Sequence, residues 1–289
     1  MQTIGIIGLG KMGMPIARNL LAKGFGVTGF RRTPSDELDE AGGKRLDSPA
    51  DVAERSDVLL SILPDAAAVE EIVCGPYGTL RALRPGTVHI EMSTVDVTRK
   101  GTVRDAVRAA GGDLLDAPIS GSPPMVEPGL ATTFASGDEE TVEKVRSVLD
   151  AISGPWVYAG AFGAGASLKY VSSMLVAAHT VAAAEALAFA RRRGLDLELV
   201  QRTLDNSIAA SALLKQRGPL MRERHYSPAP GPIDTLEQIL DQVADLVSER
   251  QAPVFLAAKA AFDREVAAGR GHLDISSVHD QFSPKEGTA

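Results

Sequence analysis

Residues 3–8 read Thr-Ile-Gly-Ile-Ile-Gly and run straight into Gly8-Leu9-Gly10-Lys11-Met12-Gly13. A short apolar run without alternation fits a strand buried on both faces. A helical pattern from Met14 follows, stopped by Gly24, and residues 27–30 read as a second strand. In a chain with 28 glycines the spacing G-x-G-x-x-G means little alone. At the strand-to-helix turn of a β-α-β opening it constrains the fold strongly. The first glycine permits the tight turn, the second lets a pyrophosphate approach the backbone, and the third lets helix and strand pack closely. The free N–H groups and positive dipole end of the helix then face the anion. Gly8, Leu9, Gly10, Lys11, Met12 and Gly13 are therefore the expected cofactor turn.

The end of the second strand selects between nicotinamide cofactors. A site for the unphosphorylated form places Asp or Glu there to bind the ribose 2′-hydroxyl. Here the order is Phe30-Arg31-Arg32-Thr33, with no acid until Asp36. Two guanidiniums suit a 2′-phosphate and leave a bare ribose without an acceptor, so NADP(H) is the expected cofactor, bound by Arg31, Arg32 and Thr33.

Strands and helices keep alternating. Residues 57–65, 86–94 and 113–121 read as strands, with helices between them, and residues 134–140 followed by a helix, then residues 156–160, complete the series. This is the pattern of a doubly wound, Rossmann-type parallel sheet. Leu63-Pro64 and Thr94 fall at carboxyl ends of strands, where such sheets bind ligands. The sheet domain is expected over residues 1–162.

Residues 163–289 show no strand pattern and read as an all-α domain. It opens on a long helix, rich in Ala and Leu, that ends at Gly194. At ~1.5 Å per residue that helix would be about 40 Å long. Its apolar positions run nearly all the way round, which predicts burial on several sides. Near its start stands Lys169, with Ser172 and Ser173 on the same face. A domain built on one long helix wants a partner surface, so a homodimer is expected. His179 is expected to be packed or capped in the core, and the tail from Ser283 to be polar and frayed.

The formal net charge of −7 disfavours nucleic acid and anionic membranes as partners. Residues 171–190 are long enough to span a bilayer, but their alanine content with His179 and Glu185 favours a buried soluble helix. Cys74 is the only cysteine, expected as a packed small hydrophobe. With no disulfide possible and no basic signal region at the start, the cytoplasm is the expected location. The five histidines have no metal-ligand spacing. His272 and His279 read as terminal surface residues, and no metal is expected.

With these segments in place, the chain resembles the β-hydroxyacid dehydrogenases, the family of 3-hydroxyisobutyrate dehydrogenase and glyoxylate/succinic semialdehyde reductases. Residues 8–24 resemble that family's cofactor turn and 30–33 its NADP-type strand end. Residues 62–65 and 91–94 resemble its nicotinamide-side loops, 116–121 its substrate loop, 163–173 its catalytic helix, and 273–278 its C-terminal signature. The resemblance implies an oxidoreductase acting on a small carbonyl or hydroxy-acid substrate. It makes Lys169 the general acid/base, gives Ser120 and Gly121 the substrate carboxylate, and sets Thr94 beside the nicotinamide ribose. Hydride addition to a carbonyl develops an alkoxide, and a partly buried lysine can give it a proton.

The departures lie around the substrate. Ser173 stands where the family carries Asn, and Ser122 stands where it carries a second glycine. A Lys-Asp-Leu motif has no counterpart in residues 233–240. Imine reductases share this architecture and are the alternative chemistry, although a charged Lys169 would repel an iminium ion. The alternative without catalysis is a cofactor-binding oligomerisation module.

Replacing Arg31 with Asp and Arg32 with Ser should weaken NADPH binding about tenfold or more, since a hydrogen bond to a charged group contributes ~1.5–3 kcal/mol. Calorimetric titration with NADPH and NADH checks this, and an unchanged ratio of the two affinities would refute the cofactor assignment.

Overall fold

A computed structural model describes residues 1–283. The tail expectation falls on residues 284–289 apart from Ser283, and so outside the described residues. The chain divides into two compact units, residues 1–169 and 170–289.

The first unit is built on a nine-stranded sheet. Its strands are β1 (Thr3–Ile7), β2 (Gly26–Phe30), β3 (Lys44–Arg45), β4 (Val58–Ser61) and β5 (Val88–Glu91). The remaining four are β6 (Asp113–Asp116), β7 (Ile119–Ser120), β8 (Thr132–Ser136) and β9 (Trp156–Gly160). The first six lie parallel in the order β3-β2-β1-β4-β5-β6. Successive residues of a strand point to opposite faces, and each face has its own core. Ile4, Ile6, Leu60, Ile90 and Leu115 pack on one side, and Ile7, Leu59 and Leu114 on the other.

The sheet is not parallel throughout. After β6 the chain breaks at Ala117-Pro118, and β8 then runs antiparallel to β6 and β7 and parallel to β9. Proline cannot donate to the ladder, which accounts for the interruption. The two-residue β3 is too short to leave a pattern in the sequence.

Several helices of this unit start on a side-chain cap just past a strand. Asp65 accepts from the Ala68 N–H at the start of the helix Ala66–Cys74. Asp96 accepts from the Arg99 N–H at the start of the helix Val97–Ala109. Such caps contribute about 1 kcal/mol each and fix where the preceding loop must end.

The second unit is helical. The long helix runs Ala164–Arg192 and begins inside the first unit. Shorter helices follow at Leu197–Leu204, Ala212–Glu223, Ile233–Ala244 and Pro253–Ala267, around a core that includes Leu187, Leu240 and Phe262. Glu237, Asp241 and Asp263 form an acidic cluster. The Lys259 ammonium is 2.6–2.8 Å from all three and supplies their counter-charge.

Four expectations are corrected here. The long helix is not buried on several sides: 44% of its most apolar stretch is buried, and Leu168, Val171, Leu175 and Phe189 are exposed. His179 lies on that open side rather than in the core. His279 is not a surface residue. Asp274 caps the turn Ile275–Val278, and Ile275 and Val278 join the core, which carries His279 to full burial. Cys74 ends its helix exposed, and partial desolvation together with Glu70 raises its pKa.

Candidate active site

Five neighbouring strands end at one level. Phe30 pairs with Ile7, Ile7 with Ser61, Ser61 with Glu91, and Glu91 with Asp116. Backbone bonds from Gly8, Ile62, Met92 and Ala117 extend the ladder one residue past this row. Every first-unit candidate for cofactor or substrate binding lies within about six positions of it. Gly8–Gly13 follow β1, Arg31–Thr33 follow β2, Leu63-Pro64 follow β4, Thr94 follows β5, and Ser120–Ser122 lie past the break after β6. With strands ~4.8 Å apart, these loops share one edge of the sheet.

The glycine turn has the geometry its spacing demands. Gly8 sits at φ +101°, and a Cβ there would meet the Ile62 carbonyl oxygen at 2.2 Å. A Cβ on Gly13 would meet the Gly8 carbonyl oxygen at 2.1 Å. At Gly10 the direction a Cβ would take is open to 4 Å. The helix Gly13–Ala22 has no side-chain cap and no acid in its first turn, so no carboxylate of its own competes for its positive end beside that open space. An anion such as a pyrophosphate fits there. Arg31 is half-buried, Arg32 and Thr33 are exposed, and none of the ion pairs among the described residues uses either guanidinium.

The two nicotinamide-side loops are tied to each other. The Leu63 N–H donates to Ser93 Oγ at 2.8 Å, and the Ser93 N–H donates to Glu91 Oε1 at 2.9 Å. Beneath them lies a buried charge cluster absent from the sequence reading. Lys100 Nζ is 2.6 Å from Glu91 Oε2 and 2.7 Å from Asp116 Oδ1, all three side chains being wholly buried. It also donates to the Ser93 carbonyl oxygen at 2.7 Å. Burial works against the Lys100 charge, but Glu91 and Asp116 outweigh it and hold the ammonium above the ordinary lysine range. The clue was in the strands, since a carboxylate in an otherwise apolar buried strand needs a cation.

Asp116 also reaches the start of the long helix. Its Oδ2 accepts from the Ala166 N–H at 2.9 Å, and Ser136 Oγ accepts from the Gly165 N–H at 3.0 Å. A Cβ on Gly165 would meet the Phe134 carbonyl oxygen at 2.3 Å, so the first helical turn lies directly on the sheet backbone. One turn further along is Lys169. The residue as a whole is half-buried, yet the protein around its ammonium desolvates it, which lowers its pKa to about 8. None of the ion pairs among the described residues involves it. Ser173, four residues on, is buried and Ser172 half-buried.

On the substrate loop, Ser120 is half-buried, and Gly121 takes φ +148° with no room for a Cβ against Ala131. Ser122 then leads into a tight turn, Pro123–Met125. These three residues share the sheet edge with the glycine turn and Thr94.

Known proteins share this fold over nearly the whole chain. Residues 3–160 match the family described as the NAD binding domain of 6-phosphogluconate dehydrogenase. Residues 163–280 match that described as the NAD-binding domain of NADP-dependent 3-hydroxyisobutyrate dehydrogenase. Glyoxylate/succinic semialdehyde reductase 1 of Arabidopsis thaliana is 32% identical over 95% of this chain and 96% of its own length. The crystal structure of 3-hydroxyisobutyrate dehydrogenase from Salmonella typhimurium is similar at a TM-score of 0.87 and 27% identity, covering 97% of this chain and 100% of that one. An imine reductase from Myxococcus stipitatus, at 20% identity and a TM-score of 0.66, covers 98% of this chain and 99% of its own; that likeness is one of fold alone.

Gly13→Ala should lower stability by ~1–3 kcal/mol, the usual cost of overpacking. Gly10→Ala should leave thermal melting nearly unchanged while weakening cofactor binding. Equal losses of melting temperature in both variants would contradict the division of roles within the turn.

Proposed function

The chain belongs to the β-hydroxyacid dehydrogenase family, and from that premise we propose that it transfers a hydride between NADPH and a small carbonyl or hydroxy-acid substrate. The observation that carries the reading is Lys169, a desolvated amine in no ion pair among the described residues, at the start of a helix seated on the ligand edge of the sheet. The bound nicotinamide would supply or accept the hydride. Gly8–Gly13 would hold its pyrophosphate, Arg31, Arg32 and Thr33 its 2′-phosphate, and Leu63, Pro64 and Thr94 its nicotinamide half.

On the protein side, Lys169 gives a proton to the substrate oxygen as the carbonyl carbon is reduced, and takes it back in the reverse reaction. Lysine is suited to this because its desolvated pKa lies near working pH. The Ser120 hydroxyl and the Gly121 N–H orient the substrate carboxylate, with Ser122 next along their loop; Ser173, one helical turn past Lys169, is the further substrate hydroxyl we assign. A carbonyl is favoured over an iminium because the latter would meet a cation at Lys169.

Further parts of the reading concern partners and place. Leu168, Leu175, Ala182 and Phe189 recur every seven residues along the open side of the long helix, the repeat by which helices pair. A second copy of the chain is the partner we propose for that stripe, since the acidic balance disfavours nucleic acid and anionic membranes. The absence of a second cysteine fits the cytoplasm.

Lys169→Ala should lower kcat with NADPH and glyoxylate or succinic semialdehyde by ~100-fold or more, the range of general acid catalysis, while NADPH still binds. In the native enzyme the reductive kcat/KM should fall as pH rises through about 8, because reduction needs the ammonium. Oxidation, which needs the neutral amine, should rise over the same interval. Retained turnover in Lys169→Ala would end this reading, and preferential reduction of a cyclic imine would end the choice of carbonyl. Leu175→Glu should convert dimers to monomers in sedimentation, and a monomeric native protein would remove the dimer.

A further inference from the structure

Three residues on one face of the helix Val97–Ala109, spaced i, i+3 and i+7, bear on the entry to the long helix, two of them against the residues just before it and one through Asp116. A Cβ on Gly163, just before the long helix, would meet Val97 Cγ1 at 2.6 Å. Lys100 holds Asp116, which receives the Ala166 N–H. The Arg104 guanidinium stacks over the Phe162 ring at 4.6 Å. On its other side, the Lys100 ammonium holds Glu91 and the Ser93 carbonyl oxygen, and through them the loop that carries Thr94.

We propose that Lys100 is a positioning residue, whose buried ammonium sets where the helix bearing Lys169 begins relative to the loop bearing Thr94. Asp116 makes this coupling directional. One oxygen is fixed by the ammonium, and the other caps the positive end of a 29-residue helix. Two carboxylates with one ammonium leave a single negative charge, placed where the helix dipole favours it. Without the ammonium, Glu91 and Asp116 would repel each other, and the loop and the helix would lose their common anchor. A displacement of about 1 Å at a reacting group can cost about a hundredfold in rate. Lys100 would thus govern turnover without touching substrate or cofactor. The inference rests on the reading of Lys169 given above.

The test is the paired variant Glu91→Gln with Lys100→Met, which keeps the buried net charge at one carboxylate. It should fold and bind NADPH within about threefold of the native protein, because the glycine turn and the arginines are untouched. Its kcat with NADPH and glyoxylate or succinic semialdehyde should fall about ten- to a hundredfold. In the cofactor-free protein, hydrogen exchange should quicken at residues 165–169 and 93–95 while protection in β1 and β4 stays native. If the paired variant does not fold, Ser136→Ala decides, since it removes the hydroxyl that accepts from the Gly165 N–H and donates to Asp116, while both ion pairs of Lys100 stay in place. It should show the same split, smaller in size. Native kcat together with native exchange at residues 165–169, in whichever variant folds, would overturn the proposal, as would a uniform rise in exchange. Lys169→Ala, assayed in parallel, separates the two claims. If it keeps its turnover, the reading of Lys169 fails. If it is inactive while the paired variant is native-like, only the role of Lys100 fails.

Discussion

The site depends on a single ladder level. Parallel pairing brings Phe30, Ile7, Ser61, Glu91 and Asp116 into one row, so five loops leave the sheet from the same edge. Parallel strands need crossovers, and the crossovers here are helices started by residues just past that edge, such as Asp65 and Asp96. A one-residue slip in any strand would turn its apolar side chains to the wrong face. The two cores therefore hold the loops in register, and the chemistry inherits its geometry from hydrophobic packing.

Electrostatics then sets one cation apart. Arg104 and Arg108 are tied to Asp113 and Asp138, and Lys259 to three acids. Lys100 is the extreme case, wholly buried and doubly paired. Removing one partner from such a cluster typically costs ~3–5 kcal/mol, so its place in the structure is firmly held. Lys169 experiences the opposite balance, with desolvation and no compensating acid, and its pKa falls while those of its paired counterparts rise. A group held near its own protonation midpoint exchanges protons readily. A paired lysine does not.

Most of the first unit was legible because its residues answer local demands. Gly8 and Gly13 leave no room for a side chain, and the strand-to-helix turn makes their spacing readable. Leu63, Thr94 and Ser120 could be placed at strand ends because the alternation of elements is strong. Lys100 could not be read, because its helix also carries Arg99, Arg104 and Arg108, and nothing local separates a buried lysine from a solvated one. Glu91 and Asp116, acids in buried strands, were the available sign. The reversal at β8 was hidden because antiparallel pairing depends on what the chain does after Pro118. The long helix misled for another reason. Apolar residues on every side of a helix do not tell which of them its own fold covers, so the exposed Leu175 and Phe189 read as core.

The proton-donor role of Lys169 is most directly tested by NMR titration of the cofactor-free protein with 13Cε-labelled lysine, its signal assigned by loss in Lys169→Arg. A midpoint near 8, apart from the surface lysines, would show an amine poised to give and take a proton. A midpoint among those of the surface lysines, near ~10.4, would mean an ordinary solvated ammonium and would contradict the role given to it.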